Sequence, residues 1–179
     1  MAESFTNAQS RACGIVSTSS SGSIGITSDR ITGISTVGVA VSDLVDNSNF
    51  IAGTKVTEIG IGTVTVDRVS TNEAAASSQI VKFMGMTTSY TSSSGNKSIL
   101  IGGTFANNTA SSVNLTVEIY DQSADTTAAL ASKIPVPTGS SFVISDAGKT
   151  VLESLDEVRV FCDTANAIDV NLGILKGVS

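Results

Sequence analysis

In the second half of the chain apolar and polar residues alternate with period two, the signature of strands that bury one face. Val113, Leu115, Val117 and Ile119 fall on one phase, and Asn114, Thr116, Glu118 and Tyr120 on the other. The same alternation sets Val158, Val160 and Cys162 against Arg159, Phe161 and Asp163, and Ile168, Val170, Leu172 and Ile174 against Asp169 and Asn171. Further strands are predicted from Ile80 to Met84, Ile99 to Phe105, Ala128 to Ile134 and Ser141 to Ile144. Turn chemistry separates them: Asn107-Asn108 accepts left-handed backbone, and Pro137-Thr138-Gly139 supplies a preset φ followed by a permissive one. The alanines of Ala124 to Ser132 are interrupted by Thr126-Thr127 and followed by Ile134-Pro135-Val136-Pro137, which favours a turn into a strand over a helix. Regularly spaced short strands of this kind predict an antiparallel β-sandwich over residues 76–179.

The first half is richer in glycine and its strands are shorter. Cys13 to Val16, Ile24 to Thr27, Val37 to Val41, Lys55 to Ile59 and Thr63 to Val66 are the candidates, separated by Ser, Gly, Asp and Asn. Residues 1–75 are thus expected to form a small β-barrel or compact sandwich. Thr71 to Ser78, mostly Ala, Ser and Thr, is the predicted linker or short helical turn. The fold class expected for the whole chain is all-β, in two domains.

Composition then narrows the function. Charged residues are 15% of the chain, so its surface must be covered largely by small neutral polar side chains, a covering suited to packing against neighbours. The net charge of −6, with ten basic residues scattered and unclustered, removes the attraction to phosphate that nucleic-acid binding requires. Met1 to Gly14 has no apolar run resembling a signal peptide and no later segment is long enough to span a bilayer, so synthesis in the cytosol is expected, with no membrane partner. The sequons at Asn96, Asn107 and Asn114 then read as chance matches. Cys13 and Cys162 share alternation phase with core positions and read as buried free thiols.

The chain lacks histidine, and with it the commonest general base and zinc ligand. Gly148-Lys149-Thr150 resembles the end of a phosphate-binding loop, but the required glycine at position 143 is Val143. Ser94-Gly95-Asn96-Lys97 matches the first element of serine-lysine acyl enzymes without the other two. Asp43, Asp46 and Asp67 fit no calcium spacing; Asp121 with Asp125, and Asp163 with Asp169, flank polar loops in a chain without Trp to stack a sugar. No catalytic, cofactor-binding or metal residue is expected, and the chain is read as a non-enzyme.

One resemblance adds a context. Ile31-Thr32-Gly33-Ile34-Ser35-Thr36-Val37-Gly38-Val39, then Asp43-Leu44-Val45, Phe50 to Ile59 around the turn Ala52-Gly53-Thr54, and Gly62 to Arg68 resemble a module of tailed-bacteriophage virion proteins; Phe50-Ile51 stands where that turn often carries proline. Ile134 to Ser141 and Val151 to Val160 resemble phage structural β-sandwich domains. The resemblance implies a virion structural protein, with cyanophages as the narrower expectation. A multicopy capsid decoration or cement protein bound to the major capsid protein, or a homo-oligomer, is the leading expectation. A neck, tail or fibre component, or a host-surface binding module, is the alternative.

Overall fold

Along β10 (Val113–Asp121) Val113, Leu115 and Val117 are buried as alternation predicts and Asn114 is exposed, but Thr116 and Glu118 on the opposite phase are buried too. The computed structural model describes residues 3–145 and 149–178, and every helix or strand among them is a strand. The chain divides into two compact units. One is formed by the segment up to Gly14 together with the chain from Thr87 onward, and the other by Ile15–Met86.

The first unit is the predicted antiparallel sandwich. One sheet runs in the order β1 (Ser4–Cys13), β15 (Ile168–Val178), β9 (Lys97–Asn107), β12 (Ser141–Ile144), with β13 (Thr150–Leu152) also paired to β9. The other runs β11 (Thr126–Val136), β10, β14 (Glu157–Cys162), β8 (Thr87–Thr91). Between the sheets lie Leu100, Phe105, Leu115, Val117, Val160, Leu172 and Ile174, with both cysteines among them. A buried hydroxyl chain ties β8 to β9: Tyr90 Oη and Ser98 Oγ are 2.8 Å apart, and Ser98 Oγ and Ser92 Oγ 3.1 Å. Such a chain satisfies polar atoms that would otherwise be costly to bury.

The second unit is the small barrel. Its sheet runs β4 (Leu44–Asp46), β7 (Ala76–Gly85), β2 (Ile15–Ile24), β3 (Arg30–Thr32), β6 (Thr63–Val66), β5 (Val56–Gly60). The two ends of this sheet meet, because Leu44 bridges Lys55 and the Val45 and Val56 amides donate to Thr54 O and Asp43 O at 2.8 and 2.9 Å. Closure removes the open edges a flat sheet would expose. Ile24, Ile31, Phe50, Val64, Val81 and Phe83 fill the interior. The turn expected at Ala52-Gly53-Thr54 is present, with Gly53 at φ 85° and Thr54 N–H donating to Ile51 O.

Several expectations are corrected. The division at residue 75 places two strands with the wrong partners: Ala76–Gly85 pairs with Ile15–Ile24 in the barrel, and Ser4–Cys13 pairs with Ile168–Val178 in the sandwich. The barrel is therefore an insertion between β1 and β8. Thr71 to Ser78 is no linker, since its last residues open β7. Cys13 to Val16 is where β1 ends and β2 begins, at Gly14 (φ 120°), where a side chain would come within 2.5 Å of Thr164 O. Val37 to Val41 forms turns despite its alternation, with Gly38 at φ 79° and Ser42 at φ 74°. Ile24 closes β2, and the chain turns through Thr27 (φ 46°).

Candidate functional site

Several of the carboxylates singled out in the sequence accept hydrogen bonds, Asp43 and Asp121 from their own loops and Asp67, Asp163 and Asp169 from other segments. Asp43 is buried, and its Oδ2 accepts from Ala40 N–H at 2.8 Å; burial pushes its carboxyl above the ordinary range. Asp67 Oδ1 accepts from Lys55 N–H. Asp121 Oδ1 accepts from Ser123 Oγ and from the Ser123 and Ala124 amides, and this holds its pKa below the usual value. Asp163 binds the Asn114 amide and side chain, and Asp169 the Ala12 amide. Among the described residues no three His, Cys, Asp or Glu side chains gather as a metal site.

The decoys resolve in the same way. Lys97 Nζ lies 2.9 Å from Glu153 Oε1, so its ammonium is committed to an ion pair. Gly148 lies outside the described residues. Asn107, one of the sequons, is buried: its Nδ2 donates to Ser111 O and Val136 O while its Oδ1 accepts from Thr109. It is the brace of the β9–β10 turn. Cys13 and Cys162 are free and buried, and desolvation raises both thiol pKa values.

One polar cluster stands on the sandwich surface. The Arg159 guanidinium sits 3.6 Å over the Tyr120 ring and its Nε donates to Glu157 at 2.8 Å, while Tyr120 Oη donates to Asp125 at 2.8 Å. The bond to Asp125 raises the tyrosine pKa, because ionisation would set two anions together. The Thr88 hydroxyl also lies 3.4 Å from Glu157 Oε2. An open groove of about 800 Å³ in the barrel is lined mainly by small residues such as Ser23, Gly25, Ala75 and Ser77, with Arg30 the one charged residue of that lining.

What the surface does offer is apolar contact area. On the outer face of the β1–β15–β9 sheet, register places Phe5 opposite Leu175, Leu175 opposite Ile99, and Ile99 opposite Val151. These four residues form one row across four strands. Phe5 is 78% exposed and Val151 51%, with Leu175 and Ile99 half-buried. Ile101 and Gly173 border the hollow beside Phe5, and Val143 lies exposed on β12. Alternation should have filled these outward positions with polar residues, as it does at Asn171 and Asp169. The signal in the sequence was Ile99-Leu100-Ile101, a run apolar on both phases.

No family model matches this chain, nor does any curated protein or solved structure. The chemistry of the surface therefore stands on the residues alone. Two of its features bear on function: the apolar row just described, and the fully exposed Ile61 at the tip of the β5–β6 hairpin. Both are sites where covering by another surface is favourable.

Proposed function

We propose that this chain is a non-enzymatic structural component of a tailed-phage virion, acting as a decoration or cement protein on the shell and contacting the major capsid protein. The apolar row Phe5–Leu175–Ile99–Val151 is the observation that supports this best, since contiguous exposed apolar residues mark surfaces that other proteins cover. Covering a Phe or an aliphatic side chain contributes about 1.5–3 kcal/mol each before the costs of association. Contacts of that size are weak singly and add up when copies are repeated over a lattice. The absence of histidine and the engagement of Asp43 and Asp121 in their own loops are consistent with a role that needs no chemistry.

The test is to quantify the protein against the major capsid protein in purified particles and to compare DNA release on heating with and without it. Hundreds of copies and a lowered release temperature in its absence are expected. A handful of copies at one vertex, with equal release temperatures, would overturn the cement role in favour of a neck or tail component.

A further inference from the structure

Among the described residues the sandwich has four sites at which a sheet ends, and three are unsuited to pairing with another chain. β12 and β13 are only four and three residues long, β8 only five, and β11 carries Lys133 and Pro135 with two breaks in its register. Short strands, bulges, lysine and proline are the usual devices that stop edge-to-edge association. Of these β1 has only a bulge, at its far end between Ser10 and Cys13. It runs for ten residues, Ser4 to Cys13, with no proline and Arg11 as its sole charge, and among the described residues a strand pairs with it on one side only. Its ladder with β15 is regular from Ser4 to Ser10.

The order of residues along this edge also fits itself. Phe5, Asn7 and Gln9 are exposed and lie opposite Leu175, Gly173 and Asn171 on the outer face; Thr6, Ala8 and Ser10 are half-buried on the inner one. If two copies of β1 run antiparallel about a two-fold axis at Asn7, then Asn7 meets Asn7, Phe5 meets Gln9, and Glu3 meets Arg11. Both members of that last pair are exposed, Arg11 with its side chain 91% free although it lies 3.9 Å from Asp169. Each copy supplies one acid and one base, so the axis generates two ion pairs. On the inner side Thr6 meets Ala8 and Ser4 meets Ser10, small enough to lie flat. Moving the axis to Phe5 or Gln9 leaves Glu3 and Arg11 without each other.

We propose that β1 is a self-pairing edge: two copies of this chain associate antiparallel through Ser4–Arg11, centred on Asn7, and join their sheets. The main-chain N–H and C=O groups of the edge supply the attraction, and the Glu3–Arg11 pairs set the register. This dimer is a property of the isolated chain, so it stands or falls apart from the particle role proposed above.

Sedimentation equilibrium over a concentration series tests it. The wild-type chain is expected to dimerise. Glu3→Arg, outside the strand and exposed, should weaken the dimer about tenfold by turning two exposed attractions into repulsions, and Glu3→Arg with Arg11→Glu should restore it. Asn7→Cys fixes the register, because both native cysteines are buried. Oxidation with diamide should link two copies of Asn7→Cys and leave Gln9→Cys unlinked. Thermal melts establish that each variant is folded. A wild-type chain that stays monomeric to its solubility limit leaves the edge to some other chain and overturns the proposal, as does equal cross-linking of the two cysteine variants.

Discussion

Leu115 is the residue on which the sandwich register can be tested most sharply. It is fully buried in β10, opposite Ile134 on one neighbour and Cys162 on the other. Replacing it with alanine removes about three carbon groups, which at about 0.8 kcal/mol per buried methylene is roughly 2.4 kcal/mol of transfer free energy. The cavity left between two sheets that cannot collapse independently adds to this, so the expected cost is about 2–5 kcal/mol. Leu130→Ala is the matched control: the same atoms are lost from β11, where the side chain is 37% exposed, and the cost should stay below about 1.5 kcal/mol. Urea denaturation followed by fluorescence or circular dichroism reads both, as shifts in midpoint at unchanged slope. A cost for Leu115→Ala below that of Leu130→Ala would refute the assigned faces of β10 and β11. Glu118 was read from alternation as a solvent-facing position, and it does point away from Leu115; yet it is buried, so Glu118→Ala is not a neutral control.

Asn107→Ala should cost about 1–3 kcal/mol in the same assay, since it strands the Val136 and Ser111 carbonyls and the Thr109 amide of the β9–β10 turn. Asp43→Asn should stabilise at neutral pH. The folded carboxyl pKa is raised by burial, so the acid's favourable contribution is full below the ordinary carboxylate pKa and is lost as pH rises through the folded value. The advantage of the amide should accordingly vanish at low pH, and melts across that range read it. Cys13 and Cys162 should resist a thiol reagent in the native state and react on unfolding, and their raised pKa values make them a source of lost stability at alkaline pH; labelling detected by mass spectrometry checks the first, and alkaline melts the second.

The long strands legible in the sequence, β9, β10, β14 and β15, have an inner face built of large apolar residues, and the short β6 and β12 were read with the bounds they have. β1 was invisible because its inward positions are Thr6, Ala8 and Ser10, which carry no hydrophobic period. The first residues of β7, Ala76-Ser77-Ser78, looked like a linker for the same reason, and become a strand through backbone pairing to β2. Val37 to Val41 failed in the opposite sense, its alternation overridden by left-handed backbone at Gly38 and Ser42. Alternation reports which way a side chain points and says nothing of which strand lies alongside, so the partnership of the first strand with the last could not be read from it. The apolar row was hidden likewise, being assembled from four strands by register.

The insertion of the barrel between β1 and β8 has a consequence for how the chain folds. Ile15 is the first residue of the barrel and Gly85 is among its last, and the two are direct cross-strand partners. A folded barrel thus hands its two ends back side by side, as a two-residue hairpin loop would, and Gly14 N–H can then donate to Thr87 Oγ1. An unstructured stretch of the same length would have to be closed at an entropic cost growing with the logarithm of its length. The whole barrel leaves the ribosome before β8 does, so it can fold first. By doing so it converts the most distant connection in the sandwich into a local one, and β1 waits in place for a partner strand made last of all.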